Sequence, residues 1–480
     1  MTNNDFTIDL HCHPNLKSFN SGFPEPRCDM WEKITHKIEG RFAERINERS
    51  HFVLKESQCN LYAMAKGAVR VFNVSLYPTE RGFLHLRNVP KFLIGKNKIN
   101  TMQQVITGYD MEAIIEQKKH YQYFEDLQRE YRYLYEQQGK SPDGKWRFKL
   151  ANNFNDLKEA LAKPEMLVGI VSIEGGHVLG AVPEVAEGMS GEEIAEAITK
   201  NIKAIKNWQI PPFTINIAHH FWNGLCGHAT SFKPPINSIV NQNKGKNKGI
   251  NQLGWHAIRL LLGRENGKRV IIDTKHMSLE ARKEYYAFID NYNAVNPADT
   301  IPILVSHAGV NGFSTMDSSI AEKDVAAKTK KHRLHRWSIN LSNEEIRIIH
   351  RSHGLVGLMM DRGILGGTQA VQKISAMADI EHQRRQYCKL FWDNAFQFAK
   401  AVEDKTAWDI VAFGSDFDGT ITHMDPYESA EKVPLLMDDL VAYLEETGYN
   451  EPLWYGYSPQ QLVRKLSYQN AMRFYGRFFV

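Results

Sequence analysis

The stretch "TIDLHCHPN" (Thr7–Asn15) sets two histidines one residue apart. In an extended strand, residues two apart point the same way, so His11 and His13 project together while Cys12 faces the other side as a small apolar residue. Paired imidazoles are ligands for divalent transition metals, but the pair alone is weak, since histidine is common at strand ends. Its partners are more telling. Glu174 ends "LVGIVSIE", His276 ends "VIIDTKH", His307 ends "ILVSH" and Asp416 ends "VAFGSD". Each has a bland reading: a cross-barrel salt bridge for Glu174, hydrogen-bonded packing for the histidines, a helix cap for Asp416. Together His11, His13, Glu174, His276, His307 and Asp416 suffice for two metals sharing a bridging carboxylate.

Eight short apolar, β-branched runs carry these residues and the elements between them: "FTIDLHCH", "AVRVFNVSL", "MLVGIVSIEGG", "FTINIAHH", "RVIIDTKH", "IPILVSH", "GLVGLMMD" and "DIVAFGSDFDG". Helical patterns such as "MWEKITHKIEGRFAERI", "MEAIIEQKKHYQYFEDLQREYRYLYEQQ", "SLEARKEYYAFIDNY" and "SNEEIRIIHRSH" separate most of them. Buried strands alternating with helices predict an α/β fold, a (β/α)8 TIM barrel, which the family resemblance given below makes one of the metal-dependent hydrolase type. One domain is expected over residues 1–480, with long insertions at about 14–66, 221–253 and 308–340. All three follow strand C-termini, where barrel active sites lie. The Asn/Lys/Gly-rich "NQNKGKNKGINQ" reads as a flexible surface loop.

The chain has 480 residues, 42% hydrophobic and 24% charged, with a net charge of +4. This near balance points away from nucleic acid or an anionic membrane as partner. No apolar run approaches a membrane span, and "MTNNDFTIDL" lacks the basic and apolar regions of a secretory leader. Cys12, Cys28, Cys59, Cys226 and Cys388 are scattered, so a reduced cytoplasmic interior is expected. A homo-oligomer is left open.

The motifs resemble the membrane (renal) dipeptidase family of the amidohydrolase superfamily. "LVGIVSIEGGH" is similar to that family's Ile/Val-Glu-Gly-Gly-His segment, "FTINIAHHFWN" to its Leu-Thr-His-Asn-x-x-Asn, and "VIIDTKHMS" to its Asp-Leu-Ser-His-Val-Ser. "PILVSHA" and "GSDFDG" resemble its Ser-His-Ser and Gly-Ser-Asp-Phe-Asp-Gly, in order along the chain. The resemblance implies two divalent ions, expected to be Zn²⁺. His11, His13, Glu174 and Asp416 would hold one and Glu174, His276 and His307 the other. It further implies cleavage of an amide or peptide bond in a small substrate by a water the ions share and acidify. Asp416 would be the proton shuttle and His219 the group touching the substrate and its tetrahedral intermediate. Asn223 is a further substrate-side candidate, Asp418 a loop-shaping residue, and His177 and His228 structural or solvent-facing. By strand alternation His220 points away from His219, and Lys275, opposite to His276, reads as packing or solvent-facing.

Two departures stand out. The family usually has His-x-Asp where this chain has His-x-His, which leaves the centre one charge less negative. Its carboxylate-gripping arginine precedes Asn-Val/Leu-Pro-Asp, whereas Ile339 stands before "NLSNEE" here, after a longer segment. That segment, basic through "KDVAAKTKKHRLHR", reads either as a lid supplying Arg336 first and Arg333 second to an anionic substrate end, or as a solvated surface loop. Alternatives to a zinc-dependent dipeptidase-like hydrolase are an enzyme for another small amide, lactam or lactone, and a non-catalytic metal-binding barrel.

Overall fold

The computed structural model describes residues 6–21, 26, 28–35, 56–85, 103, 114–115, 117–118, 122–232, 240–319 and 332–480. The eight runs form eight strands: β1 (Thr7–Cys12), β2 (Val69–Leu76), β3 (Met166–Glu174), β4 (Thr214–Asn216), β5 (Ile271–Asp273), β6 (Leu304–Ala308), β7 (Leu355–Leu358) and β8 (Val411–Phe413). Every neighbouring pair is parallel, and β1 pairs with both β2 and β8, closing the barrel. Parallel strands covered on both faces are buried along their length, which is why β3 reads as one unbroken apolar run ending in a carboxylate.

Residues Ile8, Val71, Val168, Ile271, Leu304, Leu355 and Ala412, one from each of seven strands, share an apolar cluster with Phe474, Tyr475 and Phe479 at the C-terminal helix. That leaves the polar residues to the strands' other ends. A short hairpin absent from the sequence reading, Gly139–Lys140 against Arg147–Leu150, adds to the start of β3. Among the described residues no helix is long and apolar enough to cross a membrane.

The helices start where capping chemistry places them. "SNEEIRIIHR" opens with a capping box between Ser342 and Glu345, satisfying two of the first turn's free N–H groups. Glu345 also accepts from Arg282 Nε at 2.7 Å, and Arg282 Nη1 donates to Met277 O at 3.1 Å in the turn after β5. This fully buried pair ties the β5 end to the segment before that helix. Arg282→Ala strands a buried carboxylate and is expected to cost about 3–5 kcal/mol, read as a fall in the unfolding midpoint.

The residues expected to form a flexible loop are packed down. Gln242 Nε2 donates to His220 O at 2.8 Å and to Ser231 Oγ at 2.9 Å, and His228 Nε2 lies 3.0 Å from Lys244 O. Most of the helix expected over residues 30–46, the start of the one from 111, and residues 320–331 of the basic segment lie outside the described residues.

Candidate active site

Glu174 lies at the middle of a cluster of imidazoles. Its Oε1 is 3.2 Å from His11 Nε2, 3.4 Å from both His219 Nε2 and His276 Nε2, and 3.7 Å from His307 Nε2; its Oε2 is 3.1 Å from His13 Nε2. Asp416 Oδ1 closes the far side, 3.7 Å from His13 and 3.9 Å from His11. Among the described residues four overlapping sets have mutually close ligand atoms: His11–His13–Asp416, Glu174–His276–His307, His11–Asp273–His307 and His219–His220–His276. The structure thus brings all six sequence-predicted ligands together, from five strands or the turns that follow them.

The other ring nitrogens of His11, His13 and His307 are anchored, which aims their Nε2 inward, whereas His276 Nδ1 is buried without a partner. His11 Nδ1 lies 3.1 Å from both Ser75 Oγ and Ser306 Oγ, His13 Nδ1 2.9 Å from Ser75 O, and His307 Nδ1 2.9 Å from Ser306 Oγ. His11 Nε2 and His13 Nε2 are buried, 3.2 and 3.1 Å from the Glu174 carboxylate, with no aligned hydrogen-bond partner. Burial opposes charge on Glu174, but His219 and His11 outweigh it and hold its pKa well below the usual carboxylate range. Burial, with His219 next, pushes His276 down to about 3, keeping it neutral and able to bind metal.

Asp416 reaches the cluster through a turn rather than a strand end. β8 stops at Phe413, and a Cβ on Gly414 would sit 2.0 Å from Ser306 O, so the backbones can approach only with glycine there. Ser415 then donates from N (2.8 Å) and Oγ (2.5 Å) to the Asp9 carboxylate, and Asp416 N donates to His11 O at 2.8 Å. Asp416 itself is left-handed, φ +61°, as is His276 at φ +68°. Such backbone is unfavourable for non-glycine residues and clusters at functional sites. Burial raises the Asp416 pKa.

Above the cluster opens a cavity of about 370 Å³, with His276 and Asp416 in its lining and His220, Lys275, Asp361 and Arg362 around them. Its size suits a small molecule.

No protein-family model matches the chain, and no curated protein does. Solved structures do. A metallopeptidase from Rhodobacter sphaeroides, bound to a phosphinate mimic of the dipeptide L-Ala-D-Ala, is 15% identical over 98% of this chain and 99% of that one, with TM-score 0.47. A dipeptidase of metallopeptidase family M19 is 16% identical over 99% of both chains, TM-score 0.48. The probable dipeptidase PvdM from Pseudomonas aeruginosa is 14% identical over 91% of this chain and 98% of that one, TM-score 0.45. Two of these three structural neighbours are described as metallopeptidases and the third as a probable dipeptidase.

Several expectations from strand alternation need correction, because the ladder ends before the residues concerned. β5 stops at Asp273 and β4 at Asn216. His276 turns left-handed, so Lys275 is buried and lines the cavity beside it. His220 is stacked near His219, ring centroids 3.8 Å apart, and it is His220 that meets the cavity while His219 sits deeper against Glu174.

Asn223 is not a substrate-side group. Its Nδ2 donates to Ile217 O at 2.6 Å and its Oδ1 accepts from Leu225 N and Cys226 N, so its amide shapes a turn. Arg336 is also placed elsewhere, its guanidinium 3.8 Å over the Phe313 ring, and Arg333 pairs with Asp393. Neither lines the cavity. Asp418 accepts from the backbone of Gln58 and Cys59 and pairs with Lys17 at 2.6 Å, holding the loop. His177 and His228 bond backbone carbonyls.

Glu80 escaped the sequence reading. It lies in the loop after β2, 3% exposed, with Oε2 2.6 Å from His219 Nδ1 and Oε1 accepting from Phe221 N at 3.1 Å. Burial would lower the His219 pKa, but Glu174 and Glu80 push it up to about 9. Glu80→Gln removes the charge that orients and protonates His219. Turnover is expected to fall about 10²-fold, the lower end for a proton-donating group, in steady-state kinetics with metal content unchanged.

Proposed function

We propose that the chain is a metal-dependent, dipeptidase-like hydrolase that cleaves an amide bond in a small substrate using two divalent ions, zinc foremost. The observation that carries this reading is the Glu174 carboxylate within 3.1–3.7 Å of five imidazole Nε2 atoms. His11, His13 and Asp416 would hold one ion, His276 and His307 the other, and Glu174 would bridge. Their nitrogen and oxygen donors fit zinc, and the two Nε2 atoms with no aligned hydrogen-bond partner support a metal over a purely hydrogen-bonded cluster. When bound, the ions supply Lewis acidity and a water acidified toward neutrality.

The chain's own groups supply the rest. Asp416, at the cavity floor with a raised pKa, accepts the attacking water's proton and hands it to the leaving amine. His219, oriented through Nδ1 by Glu80, donates from Nε2 toward negative charge developing on the scissile carbonyl oxygen. The test is a screen of dipeptides, N-acyl amino acids, lactams and lactones with protein loaded with zinc, then chelated, then reloaded. Amide cleavage lost on chelation and restored by zinc is the expected outcome. A fully loaded protein inert toward every amide would refute the reading.

A further inference from the structure

We infer that Lys275 is an anion receptor in this site, its ammonium binding an acidic group of the substrate close to the scissile bond. The word substrate rests on the hydrolase reading above; the receptor rests on geometry. Lys275 lies in the turn after β5, 3% exposed, and shares the cavity wall with His276 and Asp416. Its backbone N–H donates to Asp273 Oδ1 at 3.0 Å. Its ammonium has no such partner: among the described residues no carboxylate or other acceptor lies within bonding distance, and Asp416, Asp273, Asp361 and Glu174 act on it only through space.

Asp361, one of these carboxylates, is committed elsewhere. It accepts from Gly363 N, Ile364 N and Thr422 N, capping a helix and pinning the β8 loop. Arg362, the other cation on the wall, is held by Asp425 and by Tyr387 OH at 3.3 Å. An anion arriving at this wall would give the buried, unpaired Lys275 amine a charged partner, in place of the neutralisation that burial otherwise favours.

The metal centre points the same way. Among its six ligand candidates only Glu174 and Asp416 carry charge, offsetting half that of two divalent ions. His13, where the resembled family has aspartate, leaves the field more positive still. A lysine at this wall places the acidic group beside the reacting centre. A small amide bearing a carboxylate near its scissile bond is the class that fits.

The test uses the metal-loaded protein and two probes of equal size, glutarate and its monoamide glutaramate. Both offer one carboxylate to the metals, and only glutarate has a second. Titration calorimetry on wild type is expected to favour glutarate by about 10- to 100-fold, the range of a charge-assisted hydrogen bond. Lys275→Met and Lys275→Gln should bind the two alike, and Lys275→Arg should keep the preference, with metal content equal throughout. No preference in wild type overturns the inference without any variant, as does a preference that survives in a folded Lys275→Met or Lys275→Gln protein. Because the readout is binding, loss of discrimination in a protein that hydrolyses no amide would sustain the receptor and reject only the hydrolase reading.

Discussion

Glu174→Ala is expected to leave the protein unable to hold two ions and to lower turnover roughly 10³-fold or more, the several kcal/mol of charge stabilisation that a paired centre supplies. The reason is geometric. Among the described residues no other faces both ligand groups so closely: Glu174 Oε2 is 3.1 Å from His13, while its Oε1 is 3.4 Å from His276 and 3.7 Å from His307. Asp416 spans the two sides as well, but at 3.7 Å from His13 and 3.9 Å from His307. Alanine also removes the carboxylate that the inward-facing imidazoles surround, so the change is felt by the whole cluster. Elemental analysis of the purified variant and its kcat check the expectation. Two retained equivalents with wild-type turnover would remove Glu174 from the bridging role.

Asp416→Asn separates holding from proton transfer. Asparagine is among the residues that tolerate the left-handed backbone found at this position, φ +61°, and the Asp416 N–H bond to His11 O does not involve the side chain. The fold should therefore survive, with unchanged circular dichroism. Asparagine cannot accept a proton from water, so kcat should fall by about 10²–10⁴-fold with a smaller change in KM. Near-normal kcat would move the proton transfer to another group. Asp418, a neighbour in the same motif, is a poor substitute because Lys17, Gln58 and Cys59 already occupy its carboxylate.

Much of this centre was legible in the sequence because burial and chemistry conflict at particular positions. A carboxylate ending the nine-residue run of β3 is costly to bury unless something cationic meets it, and beside it the histidines near the ends of β1 and β6 read as ligands rather than packing. Legibility ended where the strands did. Alternation assigned Lys275 and His220 to the wrong side because β5 and β4 stop short of them and the chain turns. Ser75 and Ser306 looked like ordinary strand residues, yet their hydroxyls orient His11. Glu80 sits in a loop with no periodicity to mark it; an acidic residue just beyond a barrel strand, in "SLYPTE", was the available signal. The basic run suggested Arg336, but a charge run carries no direction, and Phe313 holds that guanidinium away from the cavity.

The most direct test of the binuclear centre is metal stoichiometry, measured by elemental analysis on protein purified without chelator and desalted after incubation with zinc. The account predicts about two zinc ions per chain, falling to one or none in Glu174→Ala. One ion or none in the wild-type protein under those conditions would contradict it.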